Sequence, residues 1–236
     1  MTASTDRADA PHDDQRLAVL SGRGLAGWEV ASVVSSIIIG EWALYSAAGV
    51  NRLFAAIPVL LAFALMFLSH KVRGESLRDV GFRWDNIVRA LYLLSLPVLA
   101  FAVLTLLVGW ILHAEINFFR WHSRRYLLVQ LVIGLAWGLA QQYVLQGFLN
   151  RRAMLLVGRG WRSIILIAII FGGLHLPNIW VAAITFIGGV AWAAIYQRTP
   201  NLFALAISHA VMTWFVVSTL PPSALHHLRV GLRYFG

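Results

Sequence analysis

Gly138-Leu139-Ala140-Gln141-Gln142-Tyr143-Val144-Leu145-Gln146-Gly147-Phe148-Leu149-Asn150-Arg151-Arg152 is the stretch whose reading decides the fold. It starts inside an apolar run, carries Gln141, Gln142 and Gln146 where a lipid-crossing helix should carry none, and ends on two arginines. Residues four apart share one face of a helix. Steps of four give Gln130, Gly134, Gly138, Gln142, Gln146 and Asn150, a stripe small in its first half and amide-bearing in its second. Glycine lets another helix approach closely. A buried amide in lipid must be hydrogen-bonded or must face a wet cavity. Taken alone, the stripe fits interhelical contact as well as it fits a site.

The surrounding chain of 236 residues is 59% hydrophobic and 12% charged, about half the charged fraction of a soluble domain. Runs of about 20 apolar residues are long enough to cross a bilayer. The expected fold is all-α, a polytopic transmembrane helical bundle of about seven spans. The spans are expected at Trp28 to Val50, Leu53 to Ser69, Ala90 to His113, Tyr126 to Asn150, Ser163 to His175, Ile179 to Tyr196 and Leu202 to Leu220. Residues 1–24 read as a disordered polar tail, and residues 25–236 as a single transmembrane domain. Residues 75–89 alternate charges with Leu77, Val80, Phe82, Trp84 and Ile87, as a segment lying at the membrane interface would. Residues 151–162 are expected to form a short basic loop. Pro177 breaks helix, and Asn178 can cap the next one.

The net charge of +9 comes from basic residues at the ends of apolar runs. That placement points to lipid headgroups as the partner and not to nucleic acid. The N-terminal side of the spans carries 13 Lys and Arg against 6 on the other. The expectation is therefore an integral protein of a bacterial plasma membrane with its N-terminus in the cytoplasm. Cysteine is absent, which excludes disulfide and thiolate chemistry. All ten acids lie at or before Glu115. Acid–base chemistry in the second half must therefore use histidine or a carboxylate from the first half.

Helical rise places Gln142 about 15 Å, His175 about 18 Å and His209 about 12 Å from the cytoplasmic face, with Glu41 about 20 Å deep. Four spans thus bring polar groups to one level, and ionisable residues inside spans usually face an interior cavity. A lone buried histidine is more often a satisfied core residue. Two of them level with paired glutamines and a glutamate favour a site.

Gln141-Gln142-x-x-x-Gln146-Gly147-Phe148-Leu149, Phe171-x-x-x-His175 with Pro177-Asn178, and His209-x-x-x-Thr213 resemble the three intramembrane motifs of the CPBP family. That family comprises CAAX-type prenyl endopeptidases and bacteriocin-processing and immunity proteins, also called Abi. Ser76 to Arg83 and Arg198-Thr199-Pro200-Asn201-Leu202 are similar to it as well, so the resemblance spans roughly residues 75–215. The family pattern has Glu-Glu-x-x-x-Arg where this chain has Gln141, Gln142 and Gln146, and asparagine where it has Thr213.

The resemblance implies an intramembrane endopeptidase acting on a hydrophobic or prenylated peptide. In such a site a glutamate and a histidine activate water, while a second histidine and the asparagine hold the oxyanion. Carried onto this chain, the catalytic candidates are His175, His209, Gln141, Gln142, Gln146 and Thr213, and Phe171, Asn178 and Asn150 would line the substrate pocket. Glu41 is the one carboxylate deep in a span that could join them. No cofactor is expected, since two histidines without a carboxylate or thiolate make a poor zinc shell. A neutral amide can hold water or donate to an oxyanion but cannot take a proton. Three readings follow: a peptidase with a rewired base, a non-hydrolytic scaffold, immunity or peptide-binding protein, and a solute pathway. The last is disfavoured because the halves do not repeat.

Overall fold

The computed structural model describes residues 10–46, 51–120 and 127–235. The first nine residues of the expected tail, the end of the first expected span and the basic residues Arg124 and Arg125 lie outside the described residues. Every regular element among the described residues is helical. Helix α1 (Ala10–Ile37) runs into a π-helix (Ile38–Leu44), followed by α2 (Arg52–Val72), α3 (Leu77–Val80) and α4 (Ile87–Ile111). Helix α5 (Leu127–Gln142) passes directly into a π-helix (Tyr143–Asn150) and then α6 (Arg151–Val157). The chain continues as α7 (Trp161–Gly173), α8 (Ile179–Arg198), α9 (Leu202–Thr219), α10 (Pro222–Leu225) and two 3₁₀ turns.

Gly22–Leu44, Leu53–Val72, Ile87–Ile111, Ile179–Arg198 and Leu202–Thr219 are long and apolar enough to cross a membrane, and Trp161–Gly173 is a shorter apolar helix. The expected fourth span corresponds to α5 and its π continuation. The protein is an integral membrane helical bundle.

Two boundaries differ from the sequence expectation. Helix α1 begins at Ala10, so the polar residues from there to 24, expected to be disordered, continue the first span's helix. Once nucleated, a helix extends at little cost through residues such as Gln15, Arg16, Leu17 and Ala18. Residues 151–157, expected in a basic loop, are helical as well. Arg152 is the reason: its side chain is completely buried and does not reach toward headgroups.

Arg152 sits in a knot of charges. Its Nε lies 3.0 Å from a Glu29 oxygen, and its Nη1 and Nη2 donate to the two Glu75 oxygens at 3.1 and 2.9 Å. Nη2 also donates to Ser69 Oγ at 2.9 Å, and that hydroxyl donates to Glu29 at 2.5 Å. Arg73 donates to Glu29 at 3.0 Å, Arg151 to Glu75 at 2.5 Å, and the His70 Nδ1 lies 2.6 Å from Glu75. The Phe148 ring covers the guanidinium at 4.7 Å. A charge out of water is tolerated only when paired and fully hydrogen-bonded, and this one is paired from α1, α2 and the turn after it.

Close crossings fix the other half. Helix α5 packs on α9, α4 on α9 and α7 on α8. A Cβ on Gly138 would come within 3.0 Å of the Ala206 carbonyl oxygen and 3.5 Å of His209 Cβ, whereas one on Gly134 would meet nothing. The interfacial segment is pinned by a Ser76–Asp79 capping box on α3 and by Tyr196, whose hydroxyl donates to the Val80 carbonyl at 2.6 Å.

Removing one partner of a buried ion pair costs about 3–5 kcal/mol. Glu29→Gln is expected to destabilise the protein by that amount, read from unfolding in detergent. Burial by itself would raise the Glu75 pKa, but hydrogen bonds from His70, Arg152 and Arg151 hold it well below the usual carboxylate range. The fold therefore favours the ionised carboxylate. That stability is whole above the unfolded pKa of about 4.3 and is lost as pH falls below it. Melting temperature should drop on acidification through that region, and Glu75→Gln should flatten the drop.

Candidate active site

The stripe on α5 leads straight to the histidines. Where Gly138 admits α9, the next turn carries Gln142, which is fully buried. Its Nε2 lies 3.1 Å from His209 Nδ1. With the amide donating, His209 carries its own proton on Nε2. The His209 ring lies flat on Trp192 of α8, with centroids 4.8 Å apart and planes at 2°. Trp192 Nε1 donates to Ser208 Oγ at 2.9 Å, and Ser208 donates to the Leu205 carbonyl at 2.8 Å, so the stacking partner is itself held.

Helix α7 ends at Gly173, and His175 follows in the turn before α8. Its Nδ1 is 2.7 Å from the Phe171 carbonyl oxygen. A carbonyl only accepts, so the proton of the neutral ring sits on Nδ1 and Nε2 keeps a free lone pair. The Phe171 ring meets His175 edge-on at 4.9 Å and 89°, and its centroid lies 6.3 Å from His209 and 6.0 Å from Trp192. The two imidazoles thus flank one phenyl ring.

The other expected residues divide. Gln142 Oε1 and Gln146 Nε2 are buried without a hydrogen-bond partner. Gln146 Oε1 and Asn150 belong to a ladder: Asn150 Nδ2 donates to Gln146 Oε1 at 2.7 Å and to the Ala193 carbonyl at 3.4 Å, and Gln197 Nε2 donates to Asn150 Oδ1 at 3.0 Å and Ser163 Oγ at 2.9 Å. Asn150 bonds within the π-helix and to α8, Gln197 carries the ladder on to Ser163 of α7, and none of these bonds reaches a histidine. Gln141 is half-buried, and Gln142 is the member of the pair that touches His209. Asn178 caps α8 through Val181 N at 3.2 Å and holds the C-terminal turn through the Leu225 and Arg229 carbonyls at 2.8 and 3.2 Å. Thr213 lies one turn beyond His209 and is exposed.

Glu41 lies in the first π-helix, half-buried, and has no hydrogen-bond or ion-pair partner among the described residues. Its neighbour Trp42 donates to the Leu174 carbonyl at 3.1 Å, next to His175. Among the described residues no three His, Asp or Glu side chains converge as a metal site would require.

Trp192 and Ser208 escape sequence reading because an aromatic or a serine inside a span has no distinctive spacing. The double arginine was visible as a motif, but its partners Glu29 and Glu75 lie 123 and 77 positions away from Arg152. No local pattern joins them.

Gly138→Val would drive methyl groups into the Ala206 carbonyl and His209 Cβ. The expected cost is about 1–3 kcal/mol of overpacking, with a displaced His209 resonance in imidazole NMR. Gly134→Ala, with open space around its new Cβ, should leave both unchanged.

Residues 123–215 match the family model of the type II CAAX prenyl endopeptidases, Rce1-like. The matched segment includes Gln142, Phe171, His175 and His209. No curated protein and no solved structure matches the chain.

Proposed function

From the Rce1-like match of residues 123–215, we propose that this protein is an intramembrane endopeptidase acting on a hydrophobic or prenylated peptide, with imidazole in place of the missing carboxylate. The observation that carries the reading is the His175 Nδ1 bond to the Phe171 carbonyl at 2.7 Å, which leaves Nε2 free to accept a proton. A neutral imidazole is a competent base near pH 7. In this reading His175 Nε2 takes a proton from water as its oxygen bonds to the scissile carbonyl carbon. The same nitrogen then returns that proton to the leaving amide nitrogen as the C–N bond breaks.

The developing oxyanion needs a fixed donor. His209 supplies one from Nε2, because the Gln142 amide occupies its Nδ1. Trp192 keeps that ring in one plane. Gln142 Oε1 and Gln146 Nε2 are an acceptor and a donor left unpartnered beneath the surface. Asn150 and Asn178, expected in the substrate pocket, serve the frame here, and Phe171 is the apolar surface between the two imidazoles. The excess of Lys and Arg on the N-terminal side supports a cytoplasmic N-terminus, and a bacterial plasma membrane is the proposed location.

The test is cleavage of a prenylated CAAX peptide by purified protein in proteoliposomes. His175→Ala should slow it by about 10²–10⁴. Equal rates for wild type and His175→Ala would overturn the assignment.

A second reading, a non-hydrolytic scaffold, immunity or peptide-binding protein, is favoured by one observation. Amides stand at all three positions where the family pattern has Glu-Glu and Arg, and Gln146 is tied into the Asn150 ladder. It predicts a silent wild type that still binds the peptide, and activity appearing in the double variant Gln141→Glu with Gln146→Arg.

A further inference from the structure

A cavity lies away from the histidines, beside the charge knot. It is a cleft of about 240 Å³ where the end of α2 meets α3 and the π-helix after α5. Phe67, Leu77, Val80 and Tyr143 form its apolar walls, and His70, Lys71 and Glu75 line it as well. Phe67 and Leu77 are 69% and 70% exposed, so the cleft adjoins the outer surface of the bundle.

Its polar groups are not all engaged. His70 is only 7% exposed, its Nδ1 is bound to Glu75, and its Nε2 is buried with no partner. The Glu75 carboxylate accepts, so Nδ1 bears the proton and Nε2 is a buried acceptor. Lys71 is exposed and makes no ion pair among the described residues, and the Tyr143 hydroxyl has no hydrogen-bond partner among them. Glu75 itself is neutralised by Arg151 and Arg152. Counting the knot and its rim, four basic side chains (Lys71, Arg73, Arg151 and Arg152) stand beside three carboxylates (Glu29, Glu75 and Asp79). The surplus charge is positive.

A ligand that satisfies this cleft has an anionic group for Lys71 at its mouth and a chain for the apolar walls. It also arrives laterally, from the bilayer that covers the exposed Phe67 and Leu68. We infer that the cleft binds one anionic glycerophospholipid, its phosphate on Lys71 and its acyl chain along Phe67, Val80 and Tyr143. Anionic lipid is the complement of a basic site at the end of a span.

The experiment is native mass spectrometry of the full-length protein in detergent, titrated with phosphatidylglycerol, phosphatidylcholine or soluble glycerol phosphate. One phosphatidylglycerol should bind in preference to phosphatidylcholine, and glycerol phosphate alone should bind far more weakly. Each basic residue near such a surface contributes about 1 kcal/mol, which is about fivefold. Lys71→Gln should therefore weaken binding about fivefold and Lys71→Glu about thirtyfold. Leu77→Trp, at an exposed position, should fill the cleft and block binding without disturbing the fold. Phosphatidylglycerol binding unchanged in Lys71→Glu and Leu77→Trp overturns the inference. Equal affinity for phosphatidylcholine, or for glycerol phosphate, also overturns it. Displacement of the lipid by a prenylated peptide whose own binding Leu77→Trp abolishes would assign the cleft to substrate and overturn it too.

Discussion

A guanidinium shut away from water has to be neutralised by groups that can reach it, and Arg152 sets this requirement on the whole bundle. Its completely buried side chain is met by Glu29 from α1, Ser69 from α2 and Glu75 from the turn after α2. Water cannot substitute for any of these groups at a fully buried atom. The helix carrying Arg152 is therefore fixed in depth and in rotation against the first two spans.

The same helix carries Gln142, which meets His209. Gln142 lies ten residues before Arg152, about 15 Å along the axis. An α-helical step of four overshoots a full turn, while in the wider π-helix it falls short. The change at Tyr143 thus keeps Gln142, Gln146 and Asn150 facing inward. One end of this face is locked by ion pairs, the middle by the amide ladder through Asn150 and Gln197, and the far end by Gly138 against α9. Between the locks, the Gln142 amide meets His209.

Amide and imidazole divide the work according to what each can do. An amide neither gains nor loses a proton near neutral pH, but it can select a tautomer, and Gln142 does this for His209. The Phe171 carbonyl does the reverse for His175, holding the proton on Nδ1. The two rings are therefore set with opposite edges active: one offers a lone pair, the other an N–H. Among the described residues, Glu29 and Glu75 are committed at the knot, Asp79 at the cap of α3 and Asp85 to Arg78 and Arg83, while Glu41 has no partner. This is why the imidazoles bear the proposed chemistry.

Composition and periodicity were enough to establish an all-helical membrane protein, because lipid demands long apolar helices and tolerates few charges. Spacing put Gly138 and Gln142 on one helix face, and depth put Gln142, His175, His209 and Glu41 at one level. The structure joins Gln142 to His209 and leaves Glu41 without a partner among the described residues. Pro177 and Asn178 announced the break before α8 from local sequence. The partners of these residues were decided by tertiary structure. Trp192 under His209, Glu29 and Glu75 around Arg152, and Gln197 on Asn150 are all meetings across helices, and nothing in a single helix's sequence encodes which neighbour it will face. Arg151 and Arg152 looked like residues for the headgroup layer, as basic pairs at span ends usually are. Only the packed bundle, by bringing two distant carboxylates to the same point, turned Arg152 inward and extended the helix through it.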